Sequence, residues 1–225
     1  MSSKSFTLNN YKSIKPFKKI IEVDSDKSLS IRSFLIGAIS QGISKTYNVL
    51  ESEDVYSTIN CLKKLRVKIE KIKPKSYLVY GKGLGSLIAK KNSQLDFGNS
   101  GTLARLLISI LSTTPNIEIK IKGDHSLNKK NIKKLINIMS EFGAEFLPKK
   151  KFNFPLKLIS TEMPIGINYK AGVSAQLKSA VILAGLNSFG TTKIIEEEKS
   201  RDHTENMLIE NHQAFKIKNG EKKII

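Results

Sequence analysis

The sequence predicts an α/β domain made of three repeated β-α-β-α-β-β units packed around shared buried helices. Three observations carry that reading. The polar clusters Lys27-Ser28, Asn99-Ser100 and Ser174-Ala175 each open an apolar stretch of helical period, at intervals of 72 and 75 residues. A second set of helix openings, near Asp54, Leu127 and Asp202, keeps the same period at 73 and 75 residues. Short runs rich in β-branched and aromatic residues fill the intervals. Two independent landmarks sharing one period indicate triplication of a unit of about 70 residues.

The first unit spans about 20–90, and residues 1–19 stand outside the repeat. Asp24 or Asp26 can cap its first helix. Ile31, Phe34, Leu35, Ala38 and Ile39 fall at i, i+3, i+4, i+7 and i+8, one face of a helix. Thr46 to Leu50, Val67 to Ile72 and Tyr77 to Tyr80 read as strands.

The second unit, about 91–162, repeats the helical stripe with Leu103, Leu106, Leu107, Ile110 and Leu111. Its second helix, opening near Leu127, is amphipathic through Ile132, Leu135, Ile136 and Met139. Ile117 to Ile121 and Leu156 to Ile159 are its strands, punctuated by Gly123 and Gly143.

The third unit, about 163–225, has Leu177, Ala180, Val181 and Ala184 on a broader apolar face. Strands are expected at Thr192 to Ile195 and Phe215 to Lys218, with Gly220 after them. Ser200 to Glu205 opens its last helix, with Asp202 and Glu205 as the cap and Arg201 just outside it. One unit alone cannot bury both of its helices. Three packed together can.

Composition bounds the function. With 225 residues and 40% hydrophobic content the chain can build a core. That excludes a disordered acidic tail, a collagen-like repeat and a disulfide-stapled mini-protein. Cys61 is the only cysteine, so an intrachain disulfide and a cysteine-rich zinc site are excluded and a reducing compartment is expected. No apolar stretch is long enough to span a bilayer, and the amino end lacks the apolar core of a secretory signal. The expected location is the cytoplasm. The formal charge of +18 points to an anionic partner. The lysines are spread along the whole chain, and no helix-turn-helix, zinc-finger or RNP-type aromatic motif is present. A small anionic substrate is therefore favoured over nucleic acid.

The polar clusters carry the candidate chemistry. Lys27 and Ser28 stand in a first helical turn, where free N–H groups and the helix dipole favour an anion, and Arg32 shares the face of Ser28. A solvated lysine is the competing reading of Lys27. Gly98, Asn99, Gly101 and Thr102 form a second turn where backbone can approach a ligand, and Arg105 follows it. A plain strand-to-helix turn would look the same. Gly172-Val173-Ser174-Ala175-Gln176 has the same dual reading. Equivalence under the repeat lifts these clusters above the bland alternative, because three matching helix N-termini would converge on one side of the domain. His125, His203 and His212 are scattered, and no catalytic triad, carboxylate pair or metal-ligand set stands out.

DKSLSIR, LDFGNSGT with Arg105, GDHSL, VSAQLKSAVILAGLN and SRDHTENML, in that order, resemble successive motifs of the 5-enolpyruvylshikimate-3-phosphate synthase family. The resemblance runs from about residue 16 to the end. The sister UDP-N-acetylglucosamine enolpyruvyl transferases fit these motifs less well. The resemblance implies the inside-out α/β fold of the enolpyruvyl transferases and a two-domain protein nearly twice this length, with its active site in the cleft. It makes this chain the amino-terminal domain, with residues 1–19 packing on the absent carboxyl-terminal domain. The implied reaction moves the enolpyruvyl group of phosphoenolpyruvate to the 5-hydroxyl of shikimate 3-phosphate, with no metal or organic cofactor.

Carried over by motif, Lys27 is the catalytic residue and touches both substrates. Ser28 and Arg32 hold the shikimate carboxylate side. Ser174, Ala175 and Arg201 hold the 3-phosphate, and Gln176 lines the ring and the second substrate. Asn99, Gly101 and Thr102 lie against phosphoenolpyruvate. Two positions depart from the family pattern. Asp24-Ser25 replaces Pro-Gly before DKS, and Lys130 stands where the family has a phosphoenolpyruvate-binding arginine. Lysine keeps the charge but loses the bidentate fork.

Overall fold

The structure, a computed structural model, describes residues 25–90, 92–209 and 216–218 and the backbone of 223–224. Three helices form its centre: α1 (Lys27–Ile39), α3 (Gly101–Ser112) and α6 (Ala175–Gly185). Each starts at a capping residue whose side-chain oxygen accepts the N–H of a leucine three positions on. The pairs are Asp26 with Leu29, Ser100 with Leu103 and Ser174 with Leu177. The caps recur every 74 residues.

The apolar stripes read from the sequence are buried. Ile31, Phe34, Leu35 and Ala38 of α1 and Leu103, Leu106, Leu107 and Leu111 of α3 are fully enclosed. Ala180, Val181 and Ala184 of α6 are enclosed as well, with Leu177 half-buried. At about 1.5–3 kcal/mol per large side chain, this burial is the main favourable contribution to folding. All three helices belong to one continuous core.

Three sheets clothe these helices. The first contains β1 (Ile43–Thr46), β2 (Lys68–Lys73) and β3 (Ser76–Tyr80) in the antiparallel order β1-β3-β2. The second contains β4 (Gln94–Asp96), β5 (Glu118–Lys122), β6 (Glu145–Leu147) and β7 (Leu156–Ile159). Its order is β4-β5-β7-β6, with β4 parallel to β5 and the rest antiparallel. The third contains β8 (Asn168–Ala171), β9 (Lys193–Glu196) and β10 (Lys223–Ile224), with β8 parallel and β10 antiparallel to β9. In each sheet the strand that follows the central helix pairs antiparallel with a later strand. Outer helices are α2 (Glu53–Lys64), the short α4 (His125–Asn128), α5 (Lys133–Glu141) and α7 (His203–Leu208).

Four local expectations change. The strand read at Thr46 to Leu50 lies earlier, at Ile43–Thr46, because Asn48 adopts a left-handed backbone (φ 51°) and breaks the extended run. The helix read from Leu127 is two helices. Asn131 Oδ1 accepts the Lys133 N–H, and the Ile132 N–H bonds to the Phe152 carbonyl, so the chain turns between them. The Asp202–Glu205 cap does not form: Asp202 bonds Asn206 at 3.2 Å, and Glu205 points into the core. Strands β4, β6 and β8 were not anticipated. Of the strand read at Phe215 to Lys218, the first residue lies outside the described residues, as do Asp24, His212, Gly220 and residues 1–19.

Candidate active site

The amino ends of the central helices lie at one end of the core. Gln176, in the first turn of α6, donates through Nε2 to Thr102 Oγ1 in the first turn of α3 (3.0 Å). Arg32, in the second turn of α1, donates through Nη2 to Ser179 Oγ in the second turn of α6 (3.2 Å). None of the three helices carries an acidic residue in its first turn, whereas α2 has Glu53 and Asp54 there. The positive ends of α3 and α6 are therefore not neutralised by acids within their own first turns, while that of α1 meets the capping carboxylate of Asp26.

Lys27 and Ser28 occupy the first turn of α1. Lys27 is half-exposed, and its ammonium pairs with Asp54 Oδ2 at 3.0 Å. The sequence reading did not pick out Asp54 as its partner. Arg32 is 3% exposed. Its Nε donates to Thr204 Oγ1 (2.9 Å) and its Nη1 to the Ser28 carbonyl (3.1 Å). Burial pushes the guanidinium below its ordinary value. The charges of Asp26 and Glu205 oppose that, and the nearby positive charge of Arg201 adds to it. Arg201 itself is exposed. Arg32 is thus fixed against α6, with the surface cation Arg201 close enough to act on it.

The Asn99 turn is built by its neighbours. The Gly98 N–H donates to Asp96 Oδ1 (2.9 Å), and Asp96 pairs with Lys122 at 2.9 Å. Gly98 has φ 54°, and a Cβ there would stand 2.9 Å from Ser57 Oγ, so only glycine fits comfortably. The Asp124 N–H bonds to the Gly98 carbonyl (2.8 Å), which draws the start of α4 to this turn. Asn99 is exposed, Gly101 half-buried and Thr102 buried under Gln176. A Cβ on Gly101 would come within 2.9 Å of Arg105 Nη1, which donates to the Gly101 carbonyl.

Ser174 and Ala175 are half-buried, and the Ser174 hydroxyl is used by its cap. Ala175 offers no polar side chain, only its backbone N–H. Lys130 is exposed just after α4. Hydrogen bonds thus join Thr102 to Gln176, and Arg32 to the Ser28 backbone, Ser179 and Thr204. Lys27 and Asn99 stand at the surface at the starts of α1 and α3, and none of these hydrogen bonds brings Lys130, after α4, to them.

The sequence reading missed the charge cluster beneath the site. Lys178 is fully buried, with its ammonium 2.6 Å from Glu196 Oε1 and 2.6 Å from Glu205 Oε1. Glu196 Oε1 also accepts the Ser200 N–H (2.9 Å) and hydroxyl (2.7 Å). Thr204 donates to Ser179 Oγ at 2.9 Å. Burial alone would raise the Glu196 carboxyl, but Lys178 and the two Ser200 donors outweigh it and hold it at about 2. The available signal was a lone lysine inside the apolar run QLKSAVILAG.

Among the described residues no group of three His, Cys, Asp or Glu side chains is arranged to hold a metal ion, and no helix is long and apolar enough to cross a membrane. Cys61 is buried, donates to the Asp96 carbonyl, and its thiol is pushed up to about 12 by burial.

Residues 11–224 match the family model described as EPSP synthase (3-phosphoshikimate 1-carboxyvinyltransferase). The 3-phosphoshikimate 1-carboxyvinyltransferase of Paramagnetospirillum magneticum is 40% identical over 187 residues, which is 83% of this chain and 42% of that protein. The Novosphingobium aromaticivorans protein of the same name is 40% identical over 209 residues, 92% of this chain and 46% of its own length. The solved structure of EPSP synthase from Acinetobacter baumannii superposes with a TM-score of 0.80 at 34% identity, covering 91% of this chain and 45% of that one. The chain thus spans about half the length of the relatives it matches. A match along nearly the whole chain, with the same fold at 34% identity, places this chain in the EPSP synthase (3-phosphoshikimate 1-carboxyvinyltransferase) family.

Proposed function

We propose that this chain supplies the amino-terminal half of a site that transfers the enolpyruvyl group of phosphoenolpyruvate to the 5-hydroxyl of shikimate 3-phosphate, with loss of phosphate. The observation that carries the reading is the shared end of α1, α3 and α6. Three helix starts meet there, two of them without an acid, with Arg32 bonded to α6 and the charge of Arg201 close to it. Both substrates carry a phosphate and a carboxylate. Backbone N–H groups, helix dipoles and guanidinium groups held in place stabilise such anions without reorganising.

In this reading Arg201, Ser174 and the Ala175 N–H hold the 3-phosphate, and Ser28 with Arg32 faces the carboxylate side. Gln176, clasped to Thr102, sets the ring against the second substrate. Asn99, Gly101 and Lys130 receive phosphoenolpyruvate. Lys27 stands between the two substrates and balances the charge that develops as the 5-hydroxyl adds to the enol carbon. Asp54 holds its ammonium in place. A carboxyl-terminal domain supplies the facing half-site. The reaction belongs to the cytoplasm, where a lone buried thiol such as Cys61 stays reduced.

Titration calorimetry of the 225-residue chain tests this. Shikimate 3-phosphate binds more tightly than shikimate, and Arg201→Ala weakens it by about 1.5–3 kcal/mol, the worth of a bond to a charged group. Equal affinity for shikimate and its phosphate would refute the 3-phosphate assignment. With both substrates present, the chain alone releases no phosphate; full turnover by residues 1–225 would refute the two-domain reading.

A further inference from the structure

Lys178 lies in a helix whose residues 178 to 184 are all buried, and it is itself 0% exposed. A buried ammonium is costly unless it is paired. Here it is paired twice, with Glu196 at the end of β9 and Glu205 in α7. Those two carboxylates bracket the segment from Ser200 to Thr204. Glu196 takes both donors of Ser200, the neighbour of Arg201. Thr204, the neighbour of Glu205, bonds Arg32 and Ser179. The segment carrying Arg201 is therefore fastened at both ends to one ammonium on α6. The charges also balance: Lys178 and Arg32 stand against Glu196 and Glu205, and Glu205 acts favourably on the Arg32 guanidinium.

We propose that Lys178 is a positioning residue. Through Glu196 and Glu205 it holds residues 200–205 so that Arg201 and Arg32 present their charges together at the start of α6. This rests on the assignment of the 3-phosphate to that helix start. Lys178 itself touches no substrate. Its effect on binding passes through the phosphate-holding arginines, so it governs the preference for a phosphorylated ligand over its unphosphorylated parent.

The test is the ratio of dissociation constants for shikimate and shikimate 3-phosphate, measured by calorimetry on the whole chain for wild type, Lys178→Met and Glu196→Gln. Thermal unfolding is followed in parallel. A merely structural lysine would lower the melting temperature and weaken both ligands alike, leaving the ratio unchanged. The expected result is a ratio reduced about tenfold in Lys178→Met, the order of one charge-assisted bond. Glu196→Gln, which alters charge and not shape, gives a smaller reduction in the same direction. If Lys178→Met does not fold, Glu196→Gln alone decides. A wild-type chain that prefers the phosphate, together with a folded variant that keeps the wild-type ratio, overturns the role of Lys178. A wild-type chain without any such preference overturns the 3-phosphate assignment instead.

Discussion

Glu196 makes the stability of this domain depend on acid in a way that one substitution isolates. Its carboxyl is held at about 2 in the folded chain. In an unfolded chain it titrates near the ordinary glutamate value of about 4.3–4.5. A depressed folded value contributes stability that is fully present above the unfolded value and is lost as the pH falls toward the folded one. At about 1.4 kcal/mol per unit the full contribution is about 3 kcal/mol, of which about 2 kcal/mol is gone by pH 3. Other carboxylates add to the wild-type slope, among them Glu51, Glu70 and Asp96, each also held below its usual range. The informative quantity is therefore the difference between wild type and Glu196→Gln. The glutamine keeps the size of the side chain but cannot ionise. Urea unfolding at pH 7, 5, 4 and 3 measures it. Glu196→Gln is less stable at pH 7, because Lys178 loses one of its two carboxylates. The gap narrows by about 2 kcal/mol at pH 3. A gap that stays constant from pH 7 to pH 3 would refute the reasoning, since Glu196 would then hold the same proton in both states.

Three further outcomes are expected. Ser100→Ala removes the buried cap of α3, whose hydroxyl accepts the Leu103 N–H at 3.2 Å, and costs about 1–2 kcal/mol in urea unfolding. Leu107→Ala empties a fully enclosed site between the central helices and costs about 2–5 kcal/mol, while Leu84→Ala at an exposed loop position stays within about 0.5 kcal/mol. In a protein that also carries the second domain, Lys130→Arg lowers the Michaelis constant for phosphoenolpyruvate and leaves that for shikimate 3-phosphate unchanged, because a guanidinium grips an oxyanion through two bonds. Identical steady-state constants for lysine, arginine and alanine at 130 would remove it from the site.

The sequence by itself determined the three central helices. A 3.6-residue period and a capping Asp or Ser are local properties, visible without knowing what the helix packs against, and the apolar stripes of α1 and α3 are buried as read. It also marked the clusters at the helix starts, because the caps recur with one spacing. Tertiary structure decided what those starts touch. The strands Gln94–Asp96, Glu145–Leu147 and Asn168–Ala171 have three or four residues each and little apolar pattern; they exist because β5, β7 and β9 offer hydrogen-bond partners alongside. The break between α4 and α5 depends on the carbonyl of Phe152, twenty residues away from Ile132. Glu205 looked like a capping acid because a short sequence window shows only its own helix. Its partner Lys178 lies 27 residues earlier, on another helix, and no local pattern encodes which buried ammonium a carboxylate will meet. Burial strengthens such pairs and makes leaving them unpaired costly, so the packed core alone selects the partner.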